Sequence, residues 1–221
     1  MRQISPTNAV KVTGVKRFVP CFFAPVATPK GLVDLRGKVG NLPYTIIDVG
    51  WWFQFSLPNL PSVRIDYAHS GLDIRIPGDG NVSSSFTDNR DIGKFVARII
   101  ADPRTLNQQV FVYSEMTTVT KIYGLLEKIS NEKISRRYIS TISGDELLES
   151  INKCGDSRDL SNDKFPQKVV HRCWYSWEIR SENTDDHAKY LGYVDGNNLY
   201  LDIKTRSFED YIREILSEQS V

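Results

Sequence analysis

Along residues 44–49 the chain is apolar or β-branched, interrupted only by Asp48. A strand covered on both faces shows such a run, whereas a half-solvated strand alternates. Gly50 closes it, and Trp51, Trp52 and Phe53 follow at once. Elsewhere short extended segments, at 15–19, 73–76, 84–87, 109–113, 137–140 and 197–203, alternate with helical stripes. Ile92, Phe95, Val96, Ile99 and Ile100 make one stripe; Ile122, Leu125, Leu126 and Ile129 a second; Phe208, Tyr211, Ile212, Ile215 and Leu216 a third. Asp88 with Asp91, Thr117 or Thr118, and Ser207 with Asp210 are start signals for these helices, because side-chain oxygens there satisfy orphan N–H groups. Asp102-Pro103 stops the first, and Pro77-Gly78-Asp79-Gly80 is a tight turn. Further helices are expected at 7–13, ended by Gly14, at 30–39 despite Gly31 and Gly37, at 145–151, and at 168–180 with Trp174 and Trp177 on one side. Residues 153–168 are polar, and the expectation there is a mobile segment. Strands alternating with amphipathic helices predict an α/β fold.

Ligands of open α/β sheets sit beyond the carboxyl ends of the strands. The aromatic residues after Gly50 therefore stand where a pocket wall belongs, with core filling as the competing role. Composition narrows the picture. The 221 residues suit one domain or a domain with an appendage, and 40% hydrophobic and 11% aromatic content supply a core. Lys and Arg number 28 against 27 Asp and Glu, so no polyanion footprint points to nucleic acid. Cys21, Cys154 and Cys173 are scattered, as in a reducing compartment, and no apolar run has the length of a membrane span. A cytoplasmic protein is expected.

Chemical motifs are sparse. No G-x-G-x-x-G, P-loop or G-x-S-x-G occurs, and His69, His171 and His187 have no partner at metal-ligand spacing. Tyr200 and Lys204 form a Tyr-x-x-x-Lys, but in a stretch expected to be extended, where such a dyad has no helix to sit on. Lys30 follows a loop carrying Phe22 and Phe23; a lysine in an apolar crevice has a lowered pKa and moves protons near neutrality.

Several segments resemble a known family. Asn8-Ala9-Val10, Gly14 to Pro20 (GVKRFVP), Leu42-Pro43-Tyr44-Thr45, Gly78 to Asn81, Asp91-Ile92-Gly93 and Asp102 to Asn107 (DPRTLN) are similar, in order and spacing, to landmarks of the NmrA-like and isoflavone-reductase-like proteins. So are Leu199-Tyr200 with Asp202-Ile203-Lys204. The CFFAP and DVGWW pieces look closest to fungal members. The resemblance implies atypical short-chain dehydrogenase relatives that bind NADP(H) on a Rossmann-type domain, with a lysine replacing the tyrosine–lysine pair. Counting back from Pro43 puts that lysine at Lys30, with Lys38 as the competing assignment. Cys21, Phe22, Phe23 and Ala24 stand where the family has Ser-Glu-Phe-Gly, so Phe23 matches a phenylalanine near the nicotinamide and the acidic residue is absent. Pro20, Cys21 and Phe23 are then the cofactor-side residues, and Trp51, Trp52 and Phe53 the substrate side.

The resemblance also implies an amino-terminal part with the glycine-rich turn, which is not among these 221 residues. The expectation is accordingly the carboxyl-terminal part of a Rossmann-type NAD(P)-binding fold plus a small substrate-binding α/β lobe. Residues 1–57 would be the remnant of the Rossmann-type domain and 58–221 mainly the lobe, with the helix–strand pair at 90–114 returning to the main sheet. A fragment or truncated gene model would then bind NADP(H) weakly by itself, or a partner chain would cover the exposed sheet edge. The expected function is NADPH-dependent oxidation or reduction of a small aromatic or polyketide-like metabolite in fungal secondary metabolism. The alternatives are a non-catalytic, NmrA-like regulatory or dinucleotide-sensing protein, or an inactive remnant.

Overall fold

The computed structural model describes residues 10, 13–20, 23–26, 42–68, 75–139, 149 and 174–218. Expectations at 30–39, 145–151 (other than residue 149) and 153–168, most of that at 7–13, and residues 168–173 of that at 168–180 lie outside the described residues, as do Cys21, Lys30 and Lys38. In chain order the strands are β1 (Thr45–Asp48), β2 (Trp51–Trp52), β3 (Ile76–Pro77), β4 (Ser84–Thr87), β5 (Gln108–Phe111), β6 (Glu115–Thr117), β7 (Tyr138–Ile139) and β8 (Val194–Asp195). The helices are α1 (Asn89–Ala101), α2 (Val119–Ser130), α3 (Asp185–Tyr190), α4 (Gly196–Leu199) and α5 (Phe208–Ser217), with a π-helical turn at Tyr175–Ile179.

β1 is the buried run that the pattern predicts, and all four of its residues are buried. It pairs in parallel with β5, from Thr45 opposite Gln108 to Asp48 opposite Phe111. β8 continues the parallel sheet beyond β5. On the other side of β1 a parallel bridge joins Phe18 to Tyr44, which is what the segment 15–19 contributes. A second sheet runs β2–β4–β6, with β2 parallel and β6 antiparallel to β4. β3 and β7 form a small parallel pair.

The caps explain where the helices begin. The Asp88 carboxylate accepts the Arg90 N–H at 2.9 Å to start α1, Thr118 accepts from Lys121 to start α2, and Ser207 accepts from Asp210 to start α5. At the far end of α1, Arg17 donates to the carbonyls of Ile99 (2.7 Å) and Asp102 (3.0 Å) and to the Thr105 hydroxyl. A cation on the orphan carbonyls of a helix end opposes the negative pole there. The GVKRFVP and DPRTLN segments thus meet in space as a structural clamp.

One sequence expectation is corrected. Residues 197–203 are not extended: Gly196–Leu199 form α4, followed by a turn. Asp195 caps α4 by accepting from Asn198, while the Asn197 amide accepts from Tyr113 N–H (2.9 Å) and donates to Tyr113 C=O (2.8 Å). A partner distant in sequence overrides the local tendency.

Among the described residues, three groups of buried apolar side chains fill the interior. Phe95 and Ile99 of α1 pack on Ile47, Val49, Val110 and Val112, covering one face of the parallel sheet. Val26, Phe111, Ala188 and Tyr193 form a separate cluster. The largest joins Phe53, Leu57, Leu60 and Phe86 to Ile122, Tyr123 and Leu126 of α2 and to Phe208, Tyr211, Ile212 and Ile215 of α5. Burying each such side chain is worth about 1.5–3 kcal/mol. The aromatic pair after β1 lies where the first and the largest of these cores meet: Trp52 packs against the sheet core and Trp51 against the larger one.

Candidate functional site

The carboxyl end of β1 is shaped by Gly50, whose φ of +71° lies in the left-handed region. A Cβ there would collide with the Ser85 carbonyl, its carbon 2.8 Å away, so only glycine lets β1 pass so close to β4. The Thr87 hydroxyl donates to the Val49 carbonyl across the same junction. β2 then places Trp51 opposite Phe86 and Trp52 opposite Thr87.

Both tryptophans keep part of their surface open, and they belong to one aromatic wall. Trp51 lies 4.8 Å from Trp177 and 5.7 Å from Phe55 between ring centroids. Trp52 stacks on Phe55 at 5.3 Å with planes 7° apart. Its indole N–H donates to the Phe23 carbonyl at 3.0 Å, which ties the loop after the first segment to the wall. Phe23 has a φ of +39°, an uncommon backbone state for a bulky residue and one that marks a constrained position. Its side chain packs on the sheet core beside Val19 and Trp52, and Pro20 is buried. The residues expected on the cofactor side and on the substrate side therefore meet, through Trp52 and Phe23.

Phe53 stands apart. It is fully buried, stacked on Phe208 at 3.8 Å and tilted to Tyr211 at 5.8 Å, so it supports the wall from behind. Phe55 and Trp177 are wall members that sequence reasoning missed. The signal for Phe55 was its spacing from Phe53, with one residue between them; for Trp177 no local pattern links it to Trp51.

A buried carboxylate ends β1. Asp48 accepts the Tyr193 hydroxyl at 2.6 Å, a bond that offsets part of the cost of burying it. Tyr200, half of the Tyr-x-x-x-Lys pair, is turned inward. Burial, then its hydrogen bond to Asp102, pushes its hydroxyl up to about 12, the opposite of what a proton-donating tyrosine needs. Lys204 offers its backbone carbonyl to Lys94. Among the described residues no group of three His, Cys, Asp or Glu side chains could hold a metal ion, and no helix is long and apolar enough to cross a membrane.

Parallel strands with a covering helix define a Rossmann-type α/β protein. Solved structures bear this out: leucoanthocyanidin reductase from Vitis vinifera, in binary complex with NADPH, superposes with a TM-score of 0.72 at 22% identity, over 97% of this chain and 70% of that one. AtPrR2 with NADP+ and (+)pinoresinol superposes at 0.67 and 23% identity, over 96% and 69%. At these identities the likeness shows the fold. The NmrA-like family model matches residues 5–212, and an asnovolin J 5',6'-dehydrogenase from Aspergillus novofumigatus is 38% identical over 97% of this chain and 69% of its own length. The chain belongs to the NmrA-like family, as the landmark segments imply.

Proposed function

We propose that this chain acts in an NADP(H)-dependent oxidoreductase whose substrate is a small aromatic or polyketide-like metabolite of fungal secondary metabolism. The observation that carries this reading is the half-open aromatic wall of Trp51, Trp52, Phe55 and Trp177 at the carboxyl end of a parallel sheet. Flat, apolar ring faces bind flat, apolar ligands through area and stacking. The fungal relative named a dehydrogenase, and the NADPH and NADP+ complexes of proteins with this fold, support the same reading.

The residues at hand fit the nicotinamide end of such a cofactor. Pro20 and Phe23 stand at the carboxyl side of the parallel bridge to β1, and the Phe23 carbonyl is fixed by Trp52. The pyrophosphate end asks for a glycine-rich turn before a helix, and the sequence holds no G-x-G-x-x-G, so weak NADP(H) binding by this chain alone is expected. When bound, the cofactor supplies or takes up hydride. The work of this chain is to seat the substrate on the wall, exclude water there, and move a proton through Lys30 or, as the rival, Lys38.

The test is NADPH oxidation and NADP+ reduction, by a version joined to the glycine-rich amino-terminal part that the resemblance implies, with asnovolin J and (+)-pinoresinol as trial substrates. Trp51→Ala is expected to raise KM with little effect on kcat, because a wall contributes binding shared by ground and transition states. Lys30→Ala is expected to lower turnover about 10²–10⁴-fold. Turnover lost in Lys38→Ala and kept in Lys30→Ala reassigns the proton carrier. Dinucleotide binding with no turnover that depends on either lysine sinks the enzyme reading and leaves the regulatory one.

A further inference from the structure

The wall includes a residue that comes from far along the chain. Trp177 lies in the π-helical turn Tyr175–Ile179, is 5% exposed, and meets Trp51 at a tilt of 49°. The turn is closed by the residues that follow. The Arg180 N–H donates to the Tyr175 carbonyl, the Glu182 N–H to the Ser176 carbonyl, and the Ser176 hydroxyl to the Glu182 carboxylate at 2.6 Å. Ser181 takes a φ of +54°, which a serine adopts at a cost of order 1 kcal/mol. Such a conformation persists only when its surroundings over-determine it.

Asn183 does this. It is fully buried, and its amide donates to the Ser84 hydroxyl and the Ser85 carbonyl, each at 2.8 Å. Its side-chain oxygen accepts from the Val26 N–H at 3.4 Å, and its backbone carbonyl accepts from the Ser85 N–H at 2.9 Å. One side chain thus fastens the strap bearing Trp177 to β4 and to the loop bearing Phe23. Of the non-glycine residues with positive φ, Phe23 and Ser181 lie within three positions of that knot, whereas Val63, Asn107 and Asn131 belong to other turns.

We propose that Asn183 is a positioning residue: it sets Trp177 against Trp51 and so fixes the width of the aromatic wall, which makes the strap at 174–183 the part of the site that selects flat ring systems. The inference rests on the wall being the substrate side of the pocket, as proposed above. A buried amide with its donors and acceptor committed has one geometry, which anchors the end of the strap that follows Trp177.

Two indoles this close and tilted couple excitonically and give a paired band in far-ultraviolet circular dichroism. Trp177→Phe calibrates how much of the band in the 221-residue protein belongs to the Trp51–Trp177 pair. Asn183→Ser is expected to reduce the band toward the Trp177→Phe level and to weaken binding of 1-naphthol, measured calorimetrically, by about 3–10-fold. Asn197→Ser is the control for mere structural damage: Asn197 clamps Tyr113 by a similar pair of bonds from α4 and not from the strap, so its loss lowers the melting temperature and leaves the band unchanged. If Asn183→Ser does not fold, Ser84→Ala removes one of its partners, and a partial loss of the band is expected. A full band and unchanged naphthol affinity in folded Asn183→Ser, or a full band in Ser84→Ala, overturns the inference alone. Failure of naphthol to bind the unaltered protein overturns the pocket reading and this inference with it.

Discussion

A single methyl group decides whether the end of β1 can exist as it does. Gly50 lies both in the left-handed region and against the backbone of Ser85. Gly50→Ala therefore meets two penalties at once, backbone strain and a collision that no flexible side chain can relieve. The expected loss is about 2–4 kcal/mol of unfolding free energy, read as a lower urea midpoint at unchanged slope. A loss under about 1 kcal/mol would show that β1 and β4 move apart easily. In the sequence Gly50 is visible as the end of a run, but Ser85 as its neighbour is not, since a close approach between strands leaves no local trace. Tyr200 teaches the same point: its spacing from Lys204 is seen at once, whereas its burial against Asp102 depends on α4, which the pattern does not disclose.

At the level of elements, the start of α1 carries more than a cap. Asp88 is fully buried and binds the Arg90 guanidinium at 2.6 and 2.9 Å, while Arg90 and Arg206 both pair with Glu214 of α5. Burial pushes the Asp88 carboxyl up, but the Arg90 hydrogen bonds and charge more than offset it, and the net result lies below the ordinary carboxylate range. A lowered pKa in the folded state gives stability that is complete above the unfolded value, about 3.9, and is lost as pH falls through the lowered one. Asp88→Asn keeps the cap, since asparagine caps as well as aspartate. The variant is expected to be less stable at neutral pH and to lose less on acidification below about pH 4. Parallel acid curves for the two proteins would show that the pairing contributes nothing. The caps at Asp88, Thr118 and Ser207 were legible because a cap is a local signal of a few residues. The α4 helix was not, because it leans on Tyr113; nor were the bounds of short strands such as β3 and β7, which pairing defines.

Across the whole molecule, the sheet core and the core of α2 and α5 are separate clusters joined near β2. The α/β class was readable from alternation alone, and the family from its landmark segments; the way the cores meet was not, because it is built from contacts between distant residues. Phe53→Ala tests whether loosening the larger core, next to that joint, is felt by the other. It empties the space under Phe208 and is expected to cost about 3–5 kcal/mol while the protein still unfolds in one transition. Two resolved thermal transitions would mean that the cores hold together by themselves and not through each other.

Trp51 and Trp52 are consecutive residues, yet each is moored to a different core. The peptide between them therefore works as a caliper with one jaw on each body. A ligand gripped by both jaws resists any slippage of one body past the other, so part of its binding energy becomes cohesion of the protein itself, and looseness between the cores is felt first as poor grip on the ligand.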